Sequence, residues 1–154
     1  MGDWAAGADV LTWTAGAGDW FNAANWTNWG DPENTRVPAA GDAAVVSNAG
    51  ASVVLTGSTP WLASVFVSNA TVTFSNWNTT LQATNVTVER SGQLTCFGPF
   101  TNNGATNRVS LICSNLTIES GGAINVTGKG WAGGTNTTAT YTPGNGPGGA
   151  SYLL

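Results

Sequence analysis

Two glutamates are the residues of this chain best placed to do chemistry together. Glu89 and Glu119 each follow a short segment, 86–88 and 116–118, in which apolar and polar residues alternate. If these segments are neighbouring strands, the two carboxylates lie about 5 Å apart. Such a pair could supply the acid and base that cleave a polysaccharide, or it could bind calcium. The sequence favours the simpler interpretation: both side chains lie on exposed turns, Arg90 offsets their repulsion, and no further acid is in register.

Other catalytic chemistries are excluded by residue type. The chain contains no histidine, so Ser-His-Asp and Cys-His arrangements and histidine-containing zinc sites are ruled out. Its two cysteines, Cys96 and Cys113, are too few for a four-cysteine metal site. They are compatible with one disulfide and equally with two free thiols. We therefore expect no enzyme activity, no catalytic residues, no cofactor and no metal.

Composition limits the partners. The chain has 154 residues, of which 8% are charged and 42% are apolar, and eight are tryptophan. Four Lys and Arg residues are too few to hold nucleic acid by charge. No apolar run reaches the roughly 18–20 residues that span a bilayer, so membrane insertion is not expected. This apolar, weakly charged composition predicts a folded domain and favours an extracellular or cell-surface protein.

A repeat runs through the middle of the chain. Three strand-like segments begin at Ala44, Val65 and Val86, at intervals of 21 residues. A fourth begins at Leu116, 30 residues later, which is the same interval plus a nine-residue insertion near 97–108. A second strand-like segment follows each of the four: 53–55, 72–74, 94–96 and 124–126. Alternation over short runs rich in Val, Ile and Thr is typical of strands.

The repeat predicts an all-β fold, a right-handed parallel β-helix (a β-solenoid) of about four coils. Each coil would bury its apolar side by stacking on the next, with an inward ladder of Val46, Val67, Val88 and Ile118. Asn48 and Asn69 would share a turn position, because asparagine tolerates a left-handed backbone. The alternative is an antiparallel β-sandwich, which does not explain the regular recurrence.

The ends of the chain differ from the middle. The predicted organisation is a Trp-rich N-terminal cap at 1–42, coils at 43–128 and a Gly/Thr/Pro-rich extension at 129–154. An open solenoid end exposes its core and unpaired backbone groups. We therefore expect at least three of five tryptophans to be buried over the first coil. The five are Trp4, Trp13, Trp20, Trp26 and Trp29.

The chain resembles a known group of proteins in several short motifs. These are Thr12-Trp13-Thr14, Gly18-Asp19-Trp20, Asn25-Trp26, Val37-Pro38, Gly41-Asp42 and Ser120-Gly121-Gly122. They are similar to motifs of large secreted bacterial β-helix proteins, the autotransporter-associated β-strand-repeat and pectate-lyase-like surface proteins, many of them adhesin-like. The resemblance implies a right-handed β-helix at the cell surface and says little about activity. Parallel crossovers are right-handed in general.

These observations lead to a predicted function. The chain is expected to be a non-catalytic structural or assembly module that associates with itself as a homo-oligomer, filament or surface array. The candidate interface residues are Trp4, Trp131, Tyr141, Tyr152, Leu153 and Leu154. The alternative is a carbohydrate-binding module in which Trp61, Trp77 and Phe66 stack on sugars of a polysaccharide, although these aromatics could instead pack on a neighbouring loop or subunit. A polysaccharide-cleaving enzyme comes third.

Overall fold

The chain forms short β-strands throughout the part that the structure describes. The structure, a computed structural model, describes residues 8–100, 106–137 and 140–142, and for 135–137 and 140–142 only the backbone. Within these ranges the only helical segment is one turn of 3-10 helix at Ala23–Asn25. The strands are β1 (Val10–Trp13), β2 (Ala17–Asp19), β3 (Trp26–Asn28), β4 (Ala43–Val46), β5 (Ala51–Leu55), β6 (Leu62–Ser68), β7 (Ala70–Phe74), β8 (Leu81–Glu89), β9 (Gln93–Cys96), β10 (Leu111–Ile118), β11 (Ala123–Ile124), β12 (Thr135–Thr137) and β13 (Thr140–Thr142).

The chain alternates between two sheets. The six-stranded sheet has the order β10-β8-β6-β4-β1-β3 and the five-stranded sheet the order β11-β9-β7-β5-β2. Every pair in these two sheets is parallel except β1 with β3. The four layers of the repeat therefore stack in chain order: β4–β5, β6–β7, β8–β9 and β10–β11. β1 and β2 continue the stack at its N-terminal end, since they pair in parallel with β4 and β5. The antiparallel sandwich is wrong for these strands, because its neighbouring strands would run in opposite directions.

The predicted ladder has the register that the repeat indicated. Val46 pairs with Val67, Val67 with Val88, and Val88 with Ile118. The three valines are fully buried, whereas Ile118 is exposed. A matching row crosses the other sheet, in which Val53, Val72, Leu94 and Ile124 pair in turn. The buried members of both rows belong to one continuous core.

The turn inside each layer contains a residue with left-handed backbone. The φ angle is 76° at Gly50, 53° at Asn69, 64° at Ser91 and 82° at Gly121. The N–H of Gly50 donates to the carbonyl of Asn69, and the N–H of Ser91 donates to that of Gly121. The predicted equivalence of Asn48 and Asn69 is wrong, because Gly50 is the partner of Asn69. The turn after β4 spans residues 47–50, whereas Asn69 alone joins β6 to β7.

Three tryptophans close the N-terminal end of the core. Trp13, Trp20 and Trp26 are fully buried, as expected, whereas Trp29 is 78% exposed and Trp4 lies outside the described residues. The Trp26 ring is 4.7 Å from that of Trp20 and 5.2 Å from that of Trp13, both edge-to-face. Its indole N–H also donates to the carbonyl of Trp20. Such aromatic pairs stabilise by about 0.5–1.5 kcal/mol beyond burial alone.

An ion cluster joins the start of β1 to the start of β4. The Arg36 guanidinium donates to carboxylate oxygens of Asp42, at 2.5 Å, and Asp9, at 2.6 Å. Asp42 is buried and also accepts hydrogen bonds from the backbone N–H groups of Ala39 and Asp9. Burial alone would raise the pKa of Asp42, but these hydrogen bonds and the Arg36 charge outweigh it and lower the pKa below 3.8. The pKa of Arg36 is raised by the same contacts.

The Asp42→Asn variant should lose stability in a pH-dependent way. A carboxyl with a lowered pKa in the folded state contributes stability above its ordinary pKa and loses it as the pH falls through the lowered value. Near pH 6 we expect a loss of about 2 kcal/mol, typical of hydrogen bonds to a charged group. Urea unfolding followed by tryptophan fluorescence should show this difference shrinking from pH 6 towards pH 2. The exposed Asp31→Asn is the control, and an equal loss for Asp42→Asn at every pH contradicts the account.

Candidate functional site

The two glutamates are neighbours, as their repeat positions predict. The N–H of Glu119 donates to the carbonyl of Val88, the residue before Glu89. The Glu89 carboxylate lies 3.0 Å from the Arg90 guanidinium, whose side chain is largely exposed. Within the described ranges, no group of three or more Cys, Asp or Glu residues could hold a metal ion. Arg90 stands beside the pair as expected, but the expectation that both glutamates lie on exposed turns is wrong for Glu89. Glu89 is the last residue of β8 and its side chain is only 14% exposed, whereas Glu119 is exposed.

The cysteines are both free thiols. Cys96 is buried at the end of β9, and Cys113 is half-buried in β10. Burial raises the pKa of the Cys96 thiol, and the nearby positive charge of Lys129 opposes that rise. The sequence left open whether the two cysteines form a disulfide or stay free, and in this structure they are two free thiols.

The three candidate aromatics are spread along the layers. Trp61 precedes β6 and is exposed, and its indole N–H donates to the Thr84 hydroxyl at 3.1 Å. Phe66 is half-buried on β6, in register with Thr87. Trp77 lies in the loop after β7 and borders a groove of about 530 Å³ that is formed by residues 56–58 and 76–79. Neither Trp61 nor Phe66 lines that groove.

Trp77 is already partnered on one side of its ring. The Arg108 guanidinium carbon lies 4.8 Å from the ring centroid, which is a cation–π contact. Arg108 belongs to the segment between β9 and β10, so this contact ties the long insertion to an earlier layer. At most the other face of Trp77 is free to stack on a sugar. This packing agrees with the alternative in which the aromatics contact a neighbouring loop.

No described strand forms a layer that stacks on the inward side of β10 and β11, the last layer of the repeat. Leu116, Ile118, Ile124 and Val126 are 37–49% exposed, and we call this set the terminal face. Leu116, Ile118 and Ile124 pair with Val86, Val88 and Leu94, which are buried one layer earlier. Among the described strands, nothing pairs with the outer edges of β10 and β11. The two rows of paired apolar residues that form the core therefore end in an exposed apolar surface.

The sequence analysis did not name these residues as candidate contacts, although the repeat pointed to them. They belong to the last repeat, and in a stacked array the last repeat has no following repeat to cover its apolar side. Of the predicted interface residues, Trp131 is half-buried against Phe100, with ring centroids 4.9 Å apart. Trp4, Tyr152, Leu153, Leu154 and the side chain of Tyr141 lie outside the described residues.

No helix in the part of the chain that the structure describes is long and apolar enough to cross a membrane.

Comparison with known proteins relates most of these elements to one kind of domain. The model of the G8 domain matches residues 28–132, from the last residue of β3 to one residue beyond Trp131. G8 is an extracellular-type domain, in agreement with the expected location in its broader form. No curated protein and no solved structure matches the chain. The narrower resemblance to autotransporter-associated and pectate-lyase-like β-helix proteins gains no support.

Proposed function

The chain belongs to the G8 domain family, and we propose that it is a non-catalytic structural module that associates with further copies of itself through the terminal face. In this proposal the four layers are coils of a right-handed parallel β-helix, and the location is the cell surface or an extracellular assembly. The parallel pairing of successive layers supports the β-helix interpretation. Its handedness rests on the usual hand of parallel crossovers.

The terminal face is the observation that carries the proposal. It combines apolar side chains with the outer backbone edges of β10 and β11, and an exposed strand edge is a template for pairing with another chain. Burial of apolar side chains on both sides of such a contact supplies the driving force, at roughly 25 cal/mol per Å². A net charge of −4 on 154 residues opposes close approach only weakly.

A second copy is the simplest occupant of this face. The opposite end of a neighbouring copy offers two sheet edges, β2 and β3. In a copy stacked in the same direction, β2 would extend its sheet in parallel, whereas β3, which is antiparallel to β1, would pair antiparallel with β10. Joining the terminal face to that opposite end is a heterologous contact, which repeats into a filament when it does not close. The earlier candidate interface residues stay a prediction: Trp4, Trp131, Tyr141, Tyr152, Leu153 and Leu154.

The Ile118→Asp variant tests this proposal. A carboxylate on the terminal face would have to be desolvated when two copies meet, so we expect self-association to weaken by at least about tenfold. Sedimentation velocity over a range of concentrations measures the effect. Ile118 is exposed in the single chain, and circular dichroism should therefore be unchanged. The control is Thr87→Asp, which places the same charge on an outward position of β8.

The outcome decides between two functions. A wild-type chain that stays monomeric at every concentration, or an Ile118→Asp variant that associates as strongly as wild type, would overturn self-association through this face. Carbohydrate binding then becomes the function to test first. It is favoured by the groove beside Trp77, whose walls are rich in Asn, Ser and Thr side chains that can hydrogen-bond sugar hydroxyls.

A further inference from the structure

A cavity opens beside the final layer, where the insertion between β9 and β10 meets the segment after β11. Its volume is about 560 Å³, within the range of about 300–1,000 Å³ that is typical of small-molecule sites. The insertion and the later segment are joined by backbone hydrogen bonds, from Phe100 N–H to the Gly130 carbonyl and from Ala132 N–H to the Phe100 carbonyl. We call it the terminal cavity. It is formed by parts of the chain that are about 30 residues apart.

The walls of the terminal cavity are mainly apolar. The side chains of Phe100, Val109, Leu111, Ile124 and Val126 line it, together with buried Cys96. Several of them would face the core if another layer followed. An alkyl chain or a ring would remove this apolar surface from water, at roughly 25 cal/mol per Å².

The charges at the cavity are all of one sign. Arg108 and Lys129, two of the four cations of the chain, line it, and no Asp or Glu does. Neither cation forms a salt bridge within the part of the chain that the structure describes, whereas Arg36 and Arg90 do. The positive charge of Lys129 also opposes the rise in the pKa of Cys96, which lines the same cavity. Two cations without a carboxylate partner among the described residues, in a chain of net charge −4, are a local reversal of sign.

The cavity wall also contains a polar atom with unused bonding capacity. Asn107 lines the cavity, and its side-chain oxygen is buried without a hydrogen-bond partner in the described structure. Its amide nitrogen donates to the Thr106 hydroxyl. An amide oxygen only accepts hydrogen bonds, so it suits a donor such as a hydroxyl group or water and does not bind a carboxylate. A site with apolar walls and a few convergent polar groups has the general form of a small-molecule site.

We propose that the terminal cavity binds a small amphipathic anion, an alkyl carboxylate of the medium-chain fatty-acid class. The alkyl chain lies along the apolar wall between Phe100 and Val126, and the carboxylate accepts hydrogen bonds from Lys129, with the charge of Arg108 nearby. The Arg108 guanidinium itself lies over the Trp77 ring, which borders the other groove and does not line the cavity. A cationic amphiphile meets two like charges and is excluded.

Calorimetric titration of the full chain with three probes tests the proposal. Decanoate should bind saturably with one molecule per chain. Decyltrimethylammonium, with the same chain and the opposite charge, and butyrate, with the same charge and little chain, should each bind at least about tenfold more weakly. Equal affinity for the two ten-carbon ions, or no saturable binding of decanoate, would overturn the assignment.

Variants of one cation provide the matched control. Lys129→Gln should weaken decanoate binding about tenfold, because a charge-assisted hydrogen bond is lost, and Lys129→Arg should restore most of it. Arg90→Gln removes a cation that does not line the cavity, so this variant should bind decanoate with wild-type affinity. Unchanged affinity in Lys129→Gln, with an unchanged circular dichroism spectrum, contradicts the proposal.

The cavity and the terminal face share Ile124 and Val126, so a second copy docked on that face would compete with the ligand. Leu116 and Ile118 belong to the terminal face but do not line the cavity. Ile118→Asp should therefore bind decanoate at least as tightly as wild type does. Loss of decanoate binding in Ile118→Asp would place the ligand on the terminal face and would count against the cavity.

Discussion

The Val67→Asp variant is expected to be unfolded at neutral pH. Val67 is fully buried in β6, between Val46 and Val88 in the ladder. The substitution loses about 1.5–3 kcal/mol of apolar burial and places a carboxylate where no cation faces it in the core cluster. The effective penalty for burying an unpaired ion is several kcal/mol more. Together these costs are comparable to the whole stability of a domain, about 5–15 kcal/mol.

Circular dichroism and tryptophan fluorescence are the measurements for this variant. Three buried tryptophans report on the same core, so loss of packing should change the fluorescence spectrum. Thr87→Asp, on an outward position of the neighbouring strand, is the matched control and should cost about 1 kcal/mol at most. A soluble Val67→Asp chain with the wild-type spectrum and unfolding midpoint would show that the core assignment is wrong.

The Gly92→Ala variant should lose about 3 kcal/mol although it adds a single methyl group. A Cβ at Gly92 would overlap the carbonyl oxygen of Val67 and would lie 2.7 Å from that of Glu89. Both contacts are to backbone atoms that cannot rotate away, and the Gly92 N–H already donates to the Glu89 carbonyl. Overpacking of this kind costs about 1–3 kcal/mol and occasionally more. A Cβ at Gly122, the equivalent position one layer later, would overlap the Val88 carbonyl in the same way.

Gly16→Ala separates the steric effect from the general effect of replacing glycine. A Cβ at Gly16 would meet no atom within 4 Å. Its backbone has an ordinary φ, so alanine there should be neutral or stabilise by about 0.4–1 kcal/mol through the unfolded chain. Urea midpoints of the two variants should therefore move in opposite directions. Equal midpoints would mean that the layers separate enough at the turn after β8 to accept a side chain.

The layered arrangement was predictable because its evidence is local and repeated. Alternation with period two identifies each strand and its inward side, and a constant interval of 21 residues sets the register between strands. Val46, Val67 and Val88 consequently pair as predicted. The nine-residue insertion did not disturb the pairing of Ile118 with Val88, because an inserted loop lengthens the connection without changing the inward pattern of the next strand.

Turn geometry was less predictable from the same repeat. Asn48 and Asn69 occupy equivalent distances from their strands, yet Gly50 is the residue with left-handed backbone that pairs with Asn69. The position of such a residue depends on how many residues the turn contains, and the turns after β4 and β6 differ. A turn is positioned by the strands on both sides of it, so counting from one strand is not sufficient.

The sequence by itself determined the strands of the four repeats, their register and the absence of histidine chemistry, because each depends on residue type and spacing alone. The short strands β2, β3, β12 and β13 were not predicted. Only the tertiary structure decided which residues of a row are covered by a neighbouring layer. Ile118 is in register with Val88 and is exposed because no described layer follows it. The tertiary structure also decided which distant groups meet. Asp9 and Asp42 share Arg36 across 33 residues, and the insertion and the segment after β11 both border the open terminal cavity. Burial and contact of this kind depend on the path of the whole chain, and no local pattern encodes them.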